Sequence, residues 1–250
     1  KKYKKFSSYQ IFGMGGSSLG IQAIYDFFKF RIKKKFHFFN DLDAKNKKIK
    51  IEKNSFNLII SKSGNTLETI VNENIFSGKK KLYITEHSNN YLRNLALKLK
   101  DEVIEHKNFI GGRYSVLSEV GMLPSELMGL SSNKFKKFDK LICNKNFVDS
   151  LLTNVNSIFY LIKRKKTNSI ILNYDDSSCT FFKWYQQLVA ESLGKKSSGI
   201  LPIISEMPKD NHSLMQLYLD GTKNSFFTFF DVIETKSPKI KRKKIFNNFG

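Results

Sequence analysis

Cysteine is almost missing from this 250-residue chain. Its two cysteines, Cys143 and Cys179, stand far apart and form no metal-ligand spacing. A reduced, cytoplasmic protein is therefore the expectation. Long hydrophobic runs are missing too: no apolar stretch approaches the roughly 18 residues that a membrane-spanning helix needs. The first residues, Lys1–Tyr9, are basic and polar and lack the pattern of a secretory signal. No initiating Met is present, so a fragment or a processed product is expected. Acidic residues are scarce, 22 against 43 basic ones, for a net charge of +21. Arginine is scarce as well, limited to Arg31, Arg93, Arg113, Arg164 and Arg242. Arginine is the usual reader of base edges, and the lysines here are dispersed, so nucleic acid is not the expected partner. Dispersed positive charge still concentrates small anionic metabolites near the surface. The one dense basic run, Lys236–Lys244, reads as a solvated tail rather than a binding arm.

What the chain does have is apolar material: 40% hydrophobic residues, 14% aromatic, 23 of them Phe. That is enough for a sizeable core in one large domain or two small ones. Apolar strand-like runs alternate with segments of helical spacing. Ser8–Met14 reads as strand, Gly13–Gly20 as a glycine-rich turn, and Ile21–Phe30 as helix. His37–Asn40 is a short strand and Ala44–Asn54 a weak helix. Phe56–Ile60 (FNLII) suits a buried parallel strand, followed by a turn and a helix to about Phe76. Lys81–Thr85 is strand, Tyr91–Leu99 helix, Val103–His106 an edge strand, and Val116–Leu130 helix. Ser131–Ser150 is polar and poorly periodic and reads as a connector. Beyond it, Leu151–Ile162 is helix, Ser169–Asn173 strand, Asp175–Ser178 a capped turn, and Cys179–Leu193 a helix stopped by Gly194. Ile200–Ile204 and Phe226–Ile233 are strands around a helix at Ser213–Leu219. The expected fold is α/β, with doubly wound parallel sheets flanked by helices. It divides into a first lobe over 1–130, a connector over 131–150, and a second, shorter lobe over 151–250 ending in the basic tail.

Three stretches carry candidate chemistry. Gly13–Gly20 (GMGGSSLG) places glycine amides and the hydroxyls of Ser17 and Ser18 at a helix start, where a phosphate is favoured. It is neither a dinucleotide fingerprint nor a P-loop, and a plain capped turn is the competing reading. Ser61–Thr69 (SKSGNTLET) repeats the arrangement, with Ser61, Ser63, Thr66 and Thr69 around Gly64 and with Lys62 inside the turn. Hydroxyls and amides at a helix start suit a phosphate monoester, against the simpler reading of Ser/Thr caps. Ile110–Pro124 (IGGRYSVLSEVGMLP) pairs a Gly-Gly turn with Arg113. A planar guanidinium there either holds an oxyanion or forms a surface ion pair of little value.

SxSGxT after a buried strand resembles the sugar isomerase (SIS) domain. With GMGGSSLG and IGGRYSVLSEVGMLP, and with Trp184–Lys195 (WYQQLVAESLGK) and Lys209–Gly221 (KDNHSLMQLYLDG), the chain resembles the phosphoglucose isomerase family. The resemblance runs from about Tyr9 to Phe230. It implies two SIS domains, interconversion of glucose 6-phosphate and fructose 6-phosphate in glycolysis and gluconeogenesis, and no metal or organic cofactor. Gly16, Ser17, Ser61, Lys62, Ser63 and Thr66 would form the phosphate cradle. Arg113 would stabilise the enediolate and Glu191 would be the base. His212 would assist ring opening from the partner subunit of a homodimer.

The residue types suit such chemistry on their own. Moving a proton between C1 and C2 needs one base, and a carboxylate in a partly dry pocket is tunable for it. A guanidinium meets the enediolate charge, and a histidine serves ring opening near neutral pH. Alone, Glu191 reads as a surface helix glutamate and His212 as a loop histidine. Departures from the family pattern are Asn65, Asn211 and Glu119. The family's regions before the first strand and after the last, the latter with a lysine and a glutamine, have no counterpart here, so an incomplete or reduced copy is expected. The alternative to an enzyme is a sugar-phosphate-binding SIS protein without turnover.

Overall fold

A computed structural model describes residues 2–43, 52, 54–135 and 137–233. The chain is α/β, as expected. The first sheet contains β1 (Ser8–Phe12), β2 (Lys35–Phe39), β3 (Ser55–Ile60), β4 (Lys81–Thr85) and β5 (Glu102–Glu105), in the spatial order β2-β1-β3-β4-β5. All four pairings are parallel; Tyr9 lies opposite Phe36 and Phe56, and Ile59 opposite Tyr83. β1 and β3 are buried along their whole length, the polar Ser8, Gln10, Ser55 and Asn57 included, as central strands covered on both faces are.

Helices cover both faces. α1 (Leu19–Phe28) and α4 (Glu119–Leu127) close one face, where Tyr9, Ile11, Leu58, Ile60, Leu82 and Ile84 pack with Ile21, Val120 and Leu127. α2 (Leu67–Phe76) and α3 (Tyr91–Leu99) close the other over Phe12, Phe39, Ile59 and Tyr83. Alternate residues of each strand feed opposite clusters, as the pleat requires. Each fully buried large apolar side chain contributes about 1.5–3 kcal/mol.

After α4 come short helices α5 (Ser132–Phe135) and α6 (Phe138–Ile142), then the long α7 (Lys145–Lys163). The polar stretch 131–150 is therefore largely helical. Its pattern failed to show this because α5 and α6, at 4 and 5 residues, are too short for an apolar period to be read. The second sheet has the order β7-β6-β8, with β6 (Asn168–Asn173), β7 (Leu201–Glu206) and β8 (Ser225–Phe230) parallel. α8 (Cys179–Leu193) links β6 to β7, and α9 (Met215–Asp220) precedes β8. Ile170 and Leu172 form a small core with Met207, Met215 and Tyr218.

Several element boundaries lie a few residues from those expected. The segment after Ile110 does not enter its helix at Val116. It makes 3-10 turns over Gly112–Leu117, and α4 starts only at Glu119. The Ser118 hydroxyl caps that start by accepting from the Val120 amide. α1 runs Leu19–Phe28, two residues earlier than its apolar spacing suggested, and a 3-10 turn, Lys29–Arg31, follows it. The last strand ends at Phe230 rather than Ile233. The weak helix expected over Ala44–Asn54 and the basic run Lys236–Lys244 lie outside the described residues, apart from Glu52 and Asn54.

Candidate active site

In a parallel sheet of this order the chain reverses its winding direction between β1 and β3, and a crevice opens at the carboxyl ends of those strands. Both glycine-rich turns lie there. A cleft of about 330 Å³ is lined by Met14, Gly16, Ser17, Lys62, Ser63, Thr66, Glu86, Gly112, Arg113, Gln187 and Glu191.

Gly16 shows why the first turn needs glycine. A Cβ there would lie 2.4 Å from the Gly112 carbonyl carbon and oxygen and 2.7 Å from the Arg113 nitrogen. The first glycine loop and the arginine loop thus touch backbone to backbone. In the second turn Gly64 has φ +64, and an added Cβ would sit 1.8 Å from Asn90 Oδ1. Ser61 is buried beneath the cleft. Its hydroxyl pairs with Thr66 Oγ1 at 3.0 Å and accepts from the Gly64 amide at 3.1 Å. Ser61 therefore shapes the cradle, whereas Ser63, Thr66 and Ser17 line its surface. Lys62 Nζ donates to the Asn108 carbonyl at 2.8 Å and lies 3.3 Å from Glu86 Oε1.

The other wall of the cleft is one face of α8, the helix between β6 and β7. Trp184, Gln187 and Glu191 follow at helical spacing. Trp184 Nε1 donates to the Arg113 carbonyl at 3.1 Å, and Gln187 Nε2 donates to Glu191 Oε1 at 2.7 Å. Arg113 Nη1 donates to Glu191 Oε2 at 3.3 Å, and its Nε donates to Ser192 Oγ at 2.9 Å. The guanidinium stacks on the Tyr114 ring at 4.7 Å. The Tyr114 phenol, and after it the Glu191 carboxylate, holds Arg113 above its ordinary pKa. Thr180 Oγ1 donates to Asp26 Oδ2 at 2.5 Å, which anchors the start of α8 to α1.

Seven of the nine residues singled out in the sequence line this cleft: Gly16, Ser17, Lys62, Ser63, Thr66, Arg113 and Glu191. Ser61 underlies it, and His212 is not brought to it. His212 is exposed after the 3-10 turn Lys209–Asn211, in a loop organised by Asp210, which accepts from Ser205 Oγ, the Glu206 amide and Ser213 Oγ. Met14, Gly112, Glu86 and Gln187 had not been singled out. Gln187 was within reach, being one helical turn before Glu191. Glu86 was not, because only the β3–β4 pairing places it beside Lys62. Among the described residues, no group of three or more His, Cys, Asp or Glu could hold a metal ion, and no helix is long and apolar enough to cross a membrane.

The phosphoglucose isomerase family model matches residues 2–249. The glucose-6-phosphate isomerase of Methanocaldococcus jannaschii is 37% identical over 91% of this chain and 61% of its own length. That of Campylobacter jejuni is 30% identical, with 91% of this chain and 61% of the relative covered. Among solved structures, a glucose-6-phosphate isomerase from Chlamydia trachomatis superposes with a TM-score of 0.70 at 21% identity, covering 94% of this chain and 53% of that one. A hypothetical protein from Thermus thermophilus gives 0.78 at 21% identity, covering 94% and 65%. The chain spans about three fifths of the length of the curated relatives it matches. On the family match and these identities, the chain belongs to the phosphoglucose isomerase family.

Proposed function

We propose that this chain carries the site of an aldose–ketose isomerase that interconverts glucose 6-phosphate and fructose 6-phosphate through a cis-enediol. The observation that carries the reading is the pairing of Arg113 with Glu191 on a cleft whose other wall is a hydroxyl-rich turn containing a lysine. The terminal phosphate docks on Ser17, Ser63, Thr66 and Lys62 at the carboxyl ends of β1 and β3. The sugar chain then extends toward α8. Glu191 takes the proton from C2 of the open-chain aldose, and the electrons of that C–H bond form the C1–C2 double bond. Negative charge collects on the former carbonyl oxygen, where the guanidinium of Arg113 meets it. Glu191 returns the proton to C1, a proton passes from O2 to O1, and the ketose results. Gln187 Oε1 is buried with no partner among the described residues. An unpaired acceptor on the cleft wall suits a substrate hydroxyl.

His212 lies away from this cleft, so its part in ring opening is assigned to a second copy of the chain in a homodimer. The two lobes, 1–130 and 151–250, are read as SIS units, the setting as the cytoplasm, and the chemistry as independent of any cofactor.

The test is a coupled assay of fructose 6-phosphate conversion on wild type and Glu191→Gln. Loss of a general base is expected to lower kcat by about 10²–10⁴-fold while sugar-phosphate binding persists. If both proteins bind a sugar phosphate and neither turns it over, the chain is a binder without catalysis.

A further inference from the structure

We propose that Ser192 and Tyr114 are positioning residues that fix the guanidinium of Arg113 relative to the carboxylate of Glu191. The inference rests on the isomerase reading above. Arg113 has three independent side-chain tethers. Its Nε donates to Ser192 Oγ at 2.9 Å, its Nη1 to Glu191 Oε2 at 3.3 Å, and its planar end lies 4.7 Å from the Tyr114 ring centroid. Ser192 Oγ and Tyr114 Oη are themselves 2.7 Å apart. A ring of contacts therefore closes: guanidinium to Ser192 hydroxyl, hydroxyl to phenol, phenol ring to guanidinium.

The role of this ring follows from which bonds the reaction leaves intact. An enediolate recruits the Nη atoms of Arg113, and Glu191 is occupied with the migrating proton. The Arg113–Glu191 contact is therefore altered in every turnover. The Nε–Ser192 bond and the Tyr114 stack use parts of Arg113 that the substrate does not need. They hold the orientation while the ion pair changes. Ser192 is the residue next to Glu191 on α8, so base and oxyanion holder take their spacing from one rigid element. The Arg113 backbone is tied to the same helix by Trp184 Nε1 at 3.1 Å. Tyr114 carries a signature of the ring: Ser192 first and Arg113 second pull its phenol below the ordinary tyrosine range.

The test uses the chain with Ser192→Ala, Ser192→Thr and Tyr114→Phe. Misplacing a catalytic group by about 1 Å costs on the order of 10²-fold. Ser192→Ala and Tyr114→Phe are expected to lower kcat toward that limit with KM almost unchanged, and Ser192→Thr to restore most of it. An unchanged kcat in Ser192→Ala overturns the proposal, as does a loss that Ser192→Thr fails to rescue. A second readout does not depend on turnover. The ultraviolet titration of wild type minus that of Tyr114→Phe isolates the Tyr114 phenol, whose midpoint is expected to rise in Ser192→Ala. If wild type has no isomerase activity, the isomerase reading falls and this titration alone decides the ring. A midpoint unmoved by Ser192→Ala overturns the ring.

Discussion

Gly16 stands where two loops leave no room for a side chain. Gly16→Ala is expected to push the arginine loop away from the first glycine turn. Overpacking of this kind costs about 1–3 kcal/mol, and a thermal melt measures it. On the proposed isomerase reading, activity should fall further than the melt implies, because Arg113 moves with the loop. Two residues that depart from the family pattern have plain structural explanations. Glu119 is the first residue of α4, where a carboxylate meets the positive end of the helix dipole. Asn65 Oδ1 accepts from the Tyr91 amide at 2.9 Å, so it joins the second turn to the start of α3. Glycines, hydroxyl residues and Arg113 were legible in the sequence because their chemistry is local: a turn that needs glycine, a helix start that exposes amides. Glu86 carried no such signal, since its partner lies on another strand's turn.

At the scale of elements, Glu126 joins α4 to α5. Its carboxylate accepts from the Ser132 amide at 2.8 Å and pairs with Lys4 at 2.9 Å, and these contacts, the amide first, lower its pKa to about 2. The folded value lies below the ordinary 4.5, so the unfolded chain takes up the proton first as the medium is acidified. The stabilisation is full above about pH 4.5 and is lost as pH falls toward 2. Glu126→Gln is expected to flatten that part of the profile, as read from urea midpoints at neutral and acid pH. On the other face, Glu73 is buried with Lys81 Nζ at 2.5 Å and the Tyr83 hydroxyl at 3.0 Å. Lys81→Met would leave a buried carboxylate without its cation, for an expected loss of about 3–5 kcal/mol in denaturant unfolding. Burial, and then Glu73, pushes the Tyr83 phenol far up. Stability therefore falls as pH rises past the ordinary tyrosine value of 10.0, because only the unfolded chain ionises there. Tyr83→Phe should blunt that alkaline loss. The buried strands and α8 were legible as elements because burial writes itself into apolar spacing. α5 and α6 were not, because helices of 4 and 5 residues are too short to show an apolar period.

At the scale of the whole molecule, α8 joins the second sheet to the arginine loop. It carries Glu191 and Ser192 from beside the second sheet to the arginine loop that follows the first. Trp184, the single tryptophan, sits at that junction with its indole N–H on the Arg113 carbonyl. Its fluorescence therefore reports on the contact of α8 with the arginine loop, whereas far-UV circular dichroism reports on the secondary structure of the whole chain. The two signals are expected to lose structure at the same denaturant concentration. A fluorescence transition that precedes the dichroism signal would mean that α8 leaves the arginine loop before the chain unfolds. The sequence by itself determined the alternation of strand and helix, the glycine and hydroxyl turns, and the residue types able to hold a phosphate and move a proton. Those follow from local backbone preference and from the period of apolar residues. Tertiary structure decided the rest. It set the strand order that opens a crevice between β1 and β3, the backbone contact of Gly16 with Gly112, and the docking of α8 that brings Glu191 to Arg113 across a separation of 78 residues. It also left His212 outside that cleft. Such proximities come from packing between elements far apart in the chain, and no spacing of residues along the chain encodes them.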